Sequence, residues 1–328
     1  ISSADISKID YPIWPVTEPD ASLHGKGSSE AFINCTSENK KYMLLNSCGI
    51  HFWMYNEKYL SRFRQFFDYW LKGEKNGIMD EKPVELQIRT GRGNYYWRRE
   101  EDWPVPGTRY LKFYLDADAD DPAFRPDAAI AANRCGALRQ ECPSKESSVT
   151  YSADVMRSEI SRVEGATFIS APLEEDMEIA GYIKAGLFVS STSTDMELHM
   201  NVRVLDEDGD EVIYPAFTSM EQALPLGFGS LKVSHRTLDP ARTREDLPIY
   251  LHTKEAYAPL TPGEVVEAEV GTFPTSGLIR KGWRIQVDID PVSNRWVCYE
   301  EDEYRNGASN SIHTGGQYLS YLQIPVLP

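Results

Sequence analysis

The chain has 328 residues but few cations, 34 Lys and Arg against 50 Asp and Glu, for a formal net charge of −16. Binding nucleic acid needs a cationic face to neutralise phosphates, so nucleic acid is not an expected partner. The same imbalance disfavours an anionic lipid surface. No run approaches about 18 apolar residues, so the sequence offers no membrane-spanning helix. Its start carries no signal-peptide pattern. The five cysteines are Cys35, Cys48, Cys135, Cys142 and Cys298. They form no CxxC and no Cys/His cluster, so a structural zinc site is not expected. Their odd number argues against a disulfide framework, although the spacing of Cys135 and Cys142 allows a loop pairing. Free thiols in a reducing, cytoplasmic compartment are the expectation. No repeat is visible. No G-x-S-x-G occurs either. The nearest approaches are Gly27-Ser28-Ser29-Glu30-Ala31 and Gly307-Ala308-Ser309-Asn310-Ser311. Neither reads as a strand-to-helix turn, so neither makes a nucleophile elbow.

What is present changes character near residue 82. Residues 1–82 read as a mixed α/β piece. Lys41 to Asn46 reads as a short buried strand leading into a turn that carries His51. Residues 57–72 then read as a helix, because Tyr59, Leu60, Phe63, Phe66, Phe67, Trp70 and Leu71 recur at the spacing of one buried stripe. Asn56 suits the N-cap, Lys72 the negative C-terminal end, and Gly73 the left-handed position beyond it. Core packing is a better account of this stripe than a ligand groove.

Residues 83–328 instead show short β-rich runs. These are 84–88, 110–115, 187–190, 198–205, 265–270, 284–289 and 319–326, separated by turns such as Asp208-Gly209, Lys281-Gly282 and Asn306-Gly307. Many spaced strands with Gly, Pro and Asp turns predict a mostly β chain ending in a jelly-roll β-sandwich. Residues 116–148, with the acidic run Asp116 to Asp121 and an Ala-rich stretch, read as an insertion or long loop.

Three further features could carry chemistry. His51 at a strand end is positioned as a catalytic base would be, though a packed histidine is the ordinary alternative. The acidic turn Asp206 to Glu211 has some likeness to a calcium loop. It lacks the EF-hand spacing and helical flanks, so an exposed hairpin tip is expected. Tyr95, Tyr96, Trp97, Trp103, Trp283 and Trp296 could form a sugar-stacking platform or could simply pack the core.

The string Arg64-Gln65-Phe66-Phe67-Asp68-Tyr69-Trp70-Leu71-Lys72-Gly73, continuing to Val84, resembles the RFFDxWLKGxxNGxxDEPPV stretch of the CocE/NonD hydrolases, relatives of the X-Pro dipeptidyl-peptidases. Further segments match in order. Among them are Trp97 to Leu115, Ala171 to Gly181, Thr194 to Glu197, Val233 to Pro240, Pro259 to Val266, Pro274 to Ile285, and Ser311 to Pro325.

The resemblance implies an α/β-hydrolase domain followed by a jelly-roll (galactose-binding-like) domain, hydrolysing esters or amides with a Ser-His-Asp triad and no metal or cofactor. This chain resembles only the later part: residues 1–82 as the end of the hydrolase domain and 83–328 as the jelly roll. His51 falls where the family has its catalytic histidine. Asp20 is the best match to the acid, with Glu18 and Asp10 as alternatives. The serine has no counterpart. The sequence opens on Ile1 rather than Met, which favours a portion of a longer or nicked hydrolase. A recruited non-hydrolytic enzyme, such as an isomerase or cyclase, and a carbohydrate- or protein-binding module are the alternatives. The expected partners are a small-molecule or peptide substrate, and a missing hydrolase half, a second chain or a homo-oligomer to cover the helix stripe.

Overall fold

A computed structural model describes residues 5–19, 25–45, 54–91, 93–118, 135–154, 165–214, 225–292 and 305–328. The helix expected over 57–72 forms as α2 (Glu57–Lys72). The Asn56 side chain accepts from the Lys58 amide at 3.0 Å, and Gly73 closes the helix at φ 73°. An earlier helix, α1 (Gly25–Asn34), was not expected. Its opening Gly-Lys-Gly-Ser-Ser is poor in helix formers. Packing outweighs that weakness, since Phe32 of α1 is buried against Tyr42, with ring centroids 5.6 Å apart.

The two helices flank a four-stranded sheet in the order β1 (Val16–Thr17), β2 (Tyr42–Leu44), β3 (Val84–Gly91), β4 (Asn94–Glu100). The first three strands are parallel, and β4 turns back antiparallel. Alternation along β2 sorts the two faces. Tyr42 and Leu44 share a core with Phe32 of α1, and with Val84, Leu86, Ile88 and Trp103. Met43 and Leu45 face Tyr59 of α2, with Trp14 and Phe63 beside them.

The remaining strands are β5 (Arg109–Asp116), β6 (Cys135–Arg139), β7 (Ser147–Ser152), β8 (Ala166–Ser170), β9 (Met177–Gly181), β10 (Lys184–Ser191), β11 (Glu197–Leu205), β12 (Gly227–Lys232), β13 (Val266–Gly271), β14 (Thr275–Ile279), β15 (Arg284–Asp290), β16 (Ser309–Thr314) and β17 (Tyr321–Val326). They form one 13-stranded network, antiparallel except for β6 beside β8. Met200, Val202 and Val204 of β11, and Val287 and Ile289 of β15, share a core with Leu187 and Val189 of β10 and Ile312 of β16. These strands stand far apart in hydrogen-bonded order. The network therefore folds over on itself as a β-sandwich. The two sheets also meet each other. Ala180 of β9 and Leu327 join the core beneath β2 and β3.

The expected insertion over 116–148 is corrected at its far end. Residues 119–134 lie outside the described residues, but Cys135–Arg139 is a strand between β5 and β8. Its Cys-Gly-Ala start hides it, because small residues carry little strand signal. Gly136 lies flat against β5, where an added Cβ would come within 2.6 Å of the Asp116 carbonyl oxygen and 2.7 Å of the Phe168 ring. Cys142 is a free thiol, so it makes no disulfide with Cys135. Among the described residues, no helix is long and apolar enough to cross a membrane.

Candidate active site

β1 and β2 are adjacent and parallel, with Thr17 opposite Leu44. The Leu45 amide continues the ladder by donating to the Thr17 carbonyl at 2.9 Å. Both strands thus run out at the same carboxyl edge, where open α/β sheets build their sites. Asp20 follows Thr17 by three residues, and His51 follows Leu45 by six. Both residues lie outside the described residues, so their side chains are not described. Glu18 is buried directly after β1. Asp10 is exposed and precedes the Ile13–Lys40 bridge, which sets it at the amino end of the same strands.

The chain returns from β1 into α1, and the sandwich packs against that return. A Cβ on Gly25 would lie 3.3 Å from both the Glu18 carbonyl oxygen and the Phe273 ring. Lys26 lies over the same ring, 5.4 Å from its centroid, with its ammonium 3.5 Å from the Gly271 carbonyl. Burial pulls the Lys26 amine down to about 8, against the opposing pull of Glu30.

One turn further, Glu30 accepts both ends of the Arg244 guanidinium at 2.9 Å and the Tyr182 hydroxyl at 3.1 Å. Tyr182 also shares a short hydrogen bond with Ser29. Arg244 reaches Asp246 at 3.0 Å as well. Burial pushes the Glu30 carboxyl up, but Arg244, Tyr182 and Asn34 outweigh it and hold the carboxyl below its ordinary value. This cluster escaped the sequence reading. Its members come from three distant stretches, and none carries a local motif.

Neither near-elbow supplies a nucleophile at this edge. Ser29 is buried inside α1 and donates to the Lys26 carbonyl at 3.1 Å. Ser309 and Ser311 lie on β16 in the sandwich, where Ser311 bonds Thr150 at 2.8 Å. The aromatic set does not converge either. Trp103 is buried beneath the small sheet, and Tyr95 and Trp97 meet edge-on at 6.2 Å on β4. The Trp283 indole donates to Glu207 at 2.7 Å, and Trp296 lies outside the described residues. The acidic turn is a hairpin tip: the Asp206 carboxylate accepts the amides of Asp208 and Asp210 at 3.1 and 2.9 Å.

Residues 76–323 match the family described as the X-Pro dipeptidyl-peptidase C-terminal non-catalytic domain. The chain belongs to that family. A cocaine esterase of Rhodococcus sp. is 23% identical over 298 residues, covering 80% of this chain and 45% of the relative. A candidate serine esterase of Mycobacterium bovis is 28% identical over 240 residues, covering 69% of this chain and 35% of the relative. Among solved structures, a CocE/NonD family hydrolase from Staphylococcus aureus superposes with a TM-score of 0.82 at 26% identity, covering 98% of this chain and 55% of that one. An aminopeptidase from a Thaumarchaeota archaeon shares the fold at a TM-score of 0.66 and 15% identity, covering 98% of this chain and 56% of that one. The chain therefore spans less than half the length of these curated relatives. The CocE/NonD and X-Pro dipeptidyl-peptidase resemblance read from the motifs is the family found. In this family member His51 and Asp20 precede the matched stretch, while β3, β4 and the strands of the sandwich through β16 fall within it.

Proposed function

We propose that this chain is the C-terminal part of a serine hydrolase that cleaves ester or amide bonds, X-Pro dipeptide bonds among them. In this reading residues 1–82, extended by β3 and β4, are the end of an α/β-hydrolase domain, and the strands from β5 onward are a jelly roll that braces it. β3 and β4 complete the same small sheet rather than joining the sandwich, where the 83–328 boundary expected them. The observation that carries it is the pairing of β1 with β2, whose carboxyl ends open into the segments bearing Asp20 and His51. Parallel strands with a helix on each face support the hydrolase part. Similarity to named esterases and a CocE/NonD hydrolase supports the chemistry.

His51 acts as the base in this proposal. It takes the proton of a serine hydroxyl as the oxygen attacks the substrate carbonyl, then returns it to the leaving alcohol or amine. Asp20 holds the other ring nitrogen, fixing the tautomer and stabilising the imidazolium. Water then attacks the acyl-enzyme, with the same histidine as base. The serine comes from a hydrolase half or a second chain, which also covers the exposed Phe67 and Leu71 of α2.

A fluorophosphonate probe tests this. The chain alone should remain unlabelled. Combined with the matching upstream half of a relative, the pair should label at a serine of that half, and His51→Ala should abolish labelling. Labelling that survives His51→Ala would overturn the proposal.

A further inference from the structure

A second cleft lies on the α2 face of the small sheet, opposite the face covered by α1, between the first turns of α2 and strand β4. It has a volume of about 330 Å³ and is lined by Met43, Lys58, Tyr59, Arg62, Glu85, Trp97 and Arg99. Met43, Glu85 and Arg99 form one cross-strand row at its base. That volume is at the lower end of small-molecule sites.

The charges here run against the rest of the chain. Arg62 is spent internally: it holds both Glu81 oxygens, one at 2.9 Å, and pairs with buried Glu85. The other two cations are not spent. Among the described residues Arg99 approaches only Glu81, at 3.9 Å, and that carboxylate already has both oxygens on Arg62. Lys58 has no ion pair among the described residues. Its ammonium sits 5.6 Å from the Trp97 ring centroid and 5.8 Å from those of Tyr59 and Tyr95. Lys58, Arg62 and Arg99, with buried Lys41 beside the same two carboxylates, outnumber Glu81 and Glu85, so the cleft is positive in a molecule whose formal net charge is −16. A concave site concentrates such a charge.

The walls add a preference for shape. Trp97 offers an indole face, and Met43 a pliable apolar surface. The Tyr59 hydroxyl accepts from Gln87 at 2.9 Å, so the floor is already satisfied and favours an apolar body above it. We propose that this cleft binds a small monoanionic carboxylate with a flat apolar body, an arylalkanoate or arylcarboxylate. The carboxylate would lie between Lys58 and Arg99 and the ring against Trp97. A neutral ligand would leave the positive charge unmatched, and a small hydrophilic anion would leave the apolar wall uncovered. The site is independent of the hydrolase reading, because it uses neither His51 nor Asp20.

The test is calorimetric titration of the full chain with phenylacetate, run in parallel with its neutral amide and with inorganic phosphate. Saturable binding of phenylacetate is expected, with a Kd on the order of 1 mM. Phenylacetamide and phosphate should bind at least about tenfold more weakly. Lys58 and Arg99 are exposed, so Lys58→Ala and Arg99→Ala should leave the fold intact by circular dichroism. Each should weaken phenylacetate binding about three- to tenfold. The aromatic variant Trp97→Phe should keep binding, because it retains a ring face against the ligand. No saturable heat, equal binding of the amide or of phosphate, or unchanged affinity in the Lys58/Arg99 double variant would each overturn the proposal.

Discussion

Arg244 grips Glu30 with both arms of its guanidinium, Nη1 on Oε2 and Nη2 on Oε1, each at 2.9 Å. The two residues lie 214 positions apart. One is on α1 of the small sheet, and the other is on a loop of the sandwich. The pair therefore fastens the helix that follows the Asp20 segment to the second half of the molecule.

Breaking that grip should loosen the join. Both side chains are mostly buried, at 27% and 18% exposure, so Arg244→Ala leaves a carboxylate facing Tyr182 without its countercharge. A loss of about 1–3 kcal/mol is expected in urea unfolding. Glu30 is held below its ordinary value, so the folded state binds its proton less readily than the unfolded chain does. The contribution is present above the unfolded carboxyl value of about 4.3 and is lost as pH falls below it. Arg244→Ala should therefore be least costly at the acid end. An equal cost at every pH would contradict this.

Lys26 gives a slope of the same sign, but in the alkaline range. Burial pulls its amine down to about 8, from an ordinary value of 10.5. Between those values the unfolded chain binds the proton and the folded chain does not. Stability should therefore rise with pH through that window. Lys26→Met should remove the slope and raise stability near neutrality by about 1–2 kcal/mol. Urea midpoints at pH 7, 9 and 10 measure both effects.

His313 on β16 bonds Ser190 of β10 at 2.8 Å, and burial lowers its pKa. A histidine kept neutral by burial stabilises least in acid. Its contribution should fall as pH drops below the unfolded value of about 6.5. Proton NMR of the imidazole should place its midpoint below that value. Ser190→Ala should cost about 0.5–1.5 kcal/mol at pH 7.

Phe67 and Leu71 on α2 are 55% and 78% exposed, on the same helix as buried Phe66. Phe67→Glu and Leu71→Glu should change stability by less than about 0.5 kcal/mol. Both should shift the isolated chain toward monomer in sedimentation velocity, because they break an apolar patch. No change in the distribution would argue against that patch as a contact surface.

How much of this was legible depends on distance along the chain. α2 was readable because its stripe, its Asn56 cap and its Gly73 stop are all local. The longer strands were readable from alternation. α1 was not, because its Gly and Ser residues are offset by distant contacts, Phe32 meeting Tyr42 and Glu30 meeting Arg244 among them. β6 was hidden because Gly136 is chosen for closeness to its neighbours rather than for a side chain. Strand order, and with it the fold-over of the sandwich, is set by contacts that no window of sequence contains. Of the candidate site, sequence supplied the order of Asp20 and His51, and pairing supplied the shared edge of the two strands that precede them. The Lys26, Glu30 and Arg244 cluster beside that edge required the fold.

The core beneath β2 is closed by Leu327, whose amide donates to the Glu178 carbonyl at 2.8 Å. Synthesis runs the other way, from β1 and β2 toward that residue. β1 and β2 must therefore wait, unsealed, until Leu327 has left the ribosome. During that interval Tyr42, Leu44 and Trp103 are open to wrong partners. A chaperone that shields nascent apolar segments should therefore raise the soluble yield of this chain more than it raises that of the sandwich expressed alone.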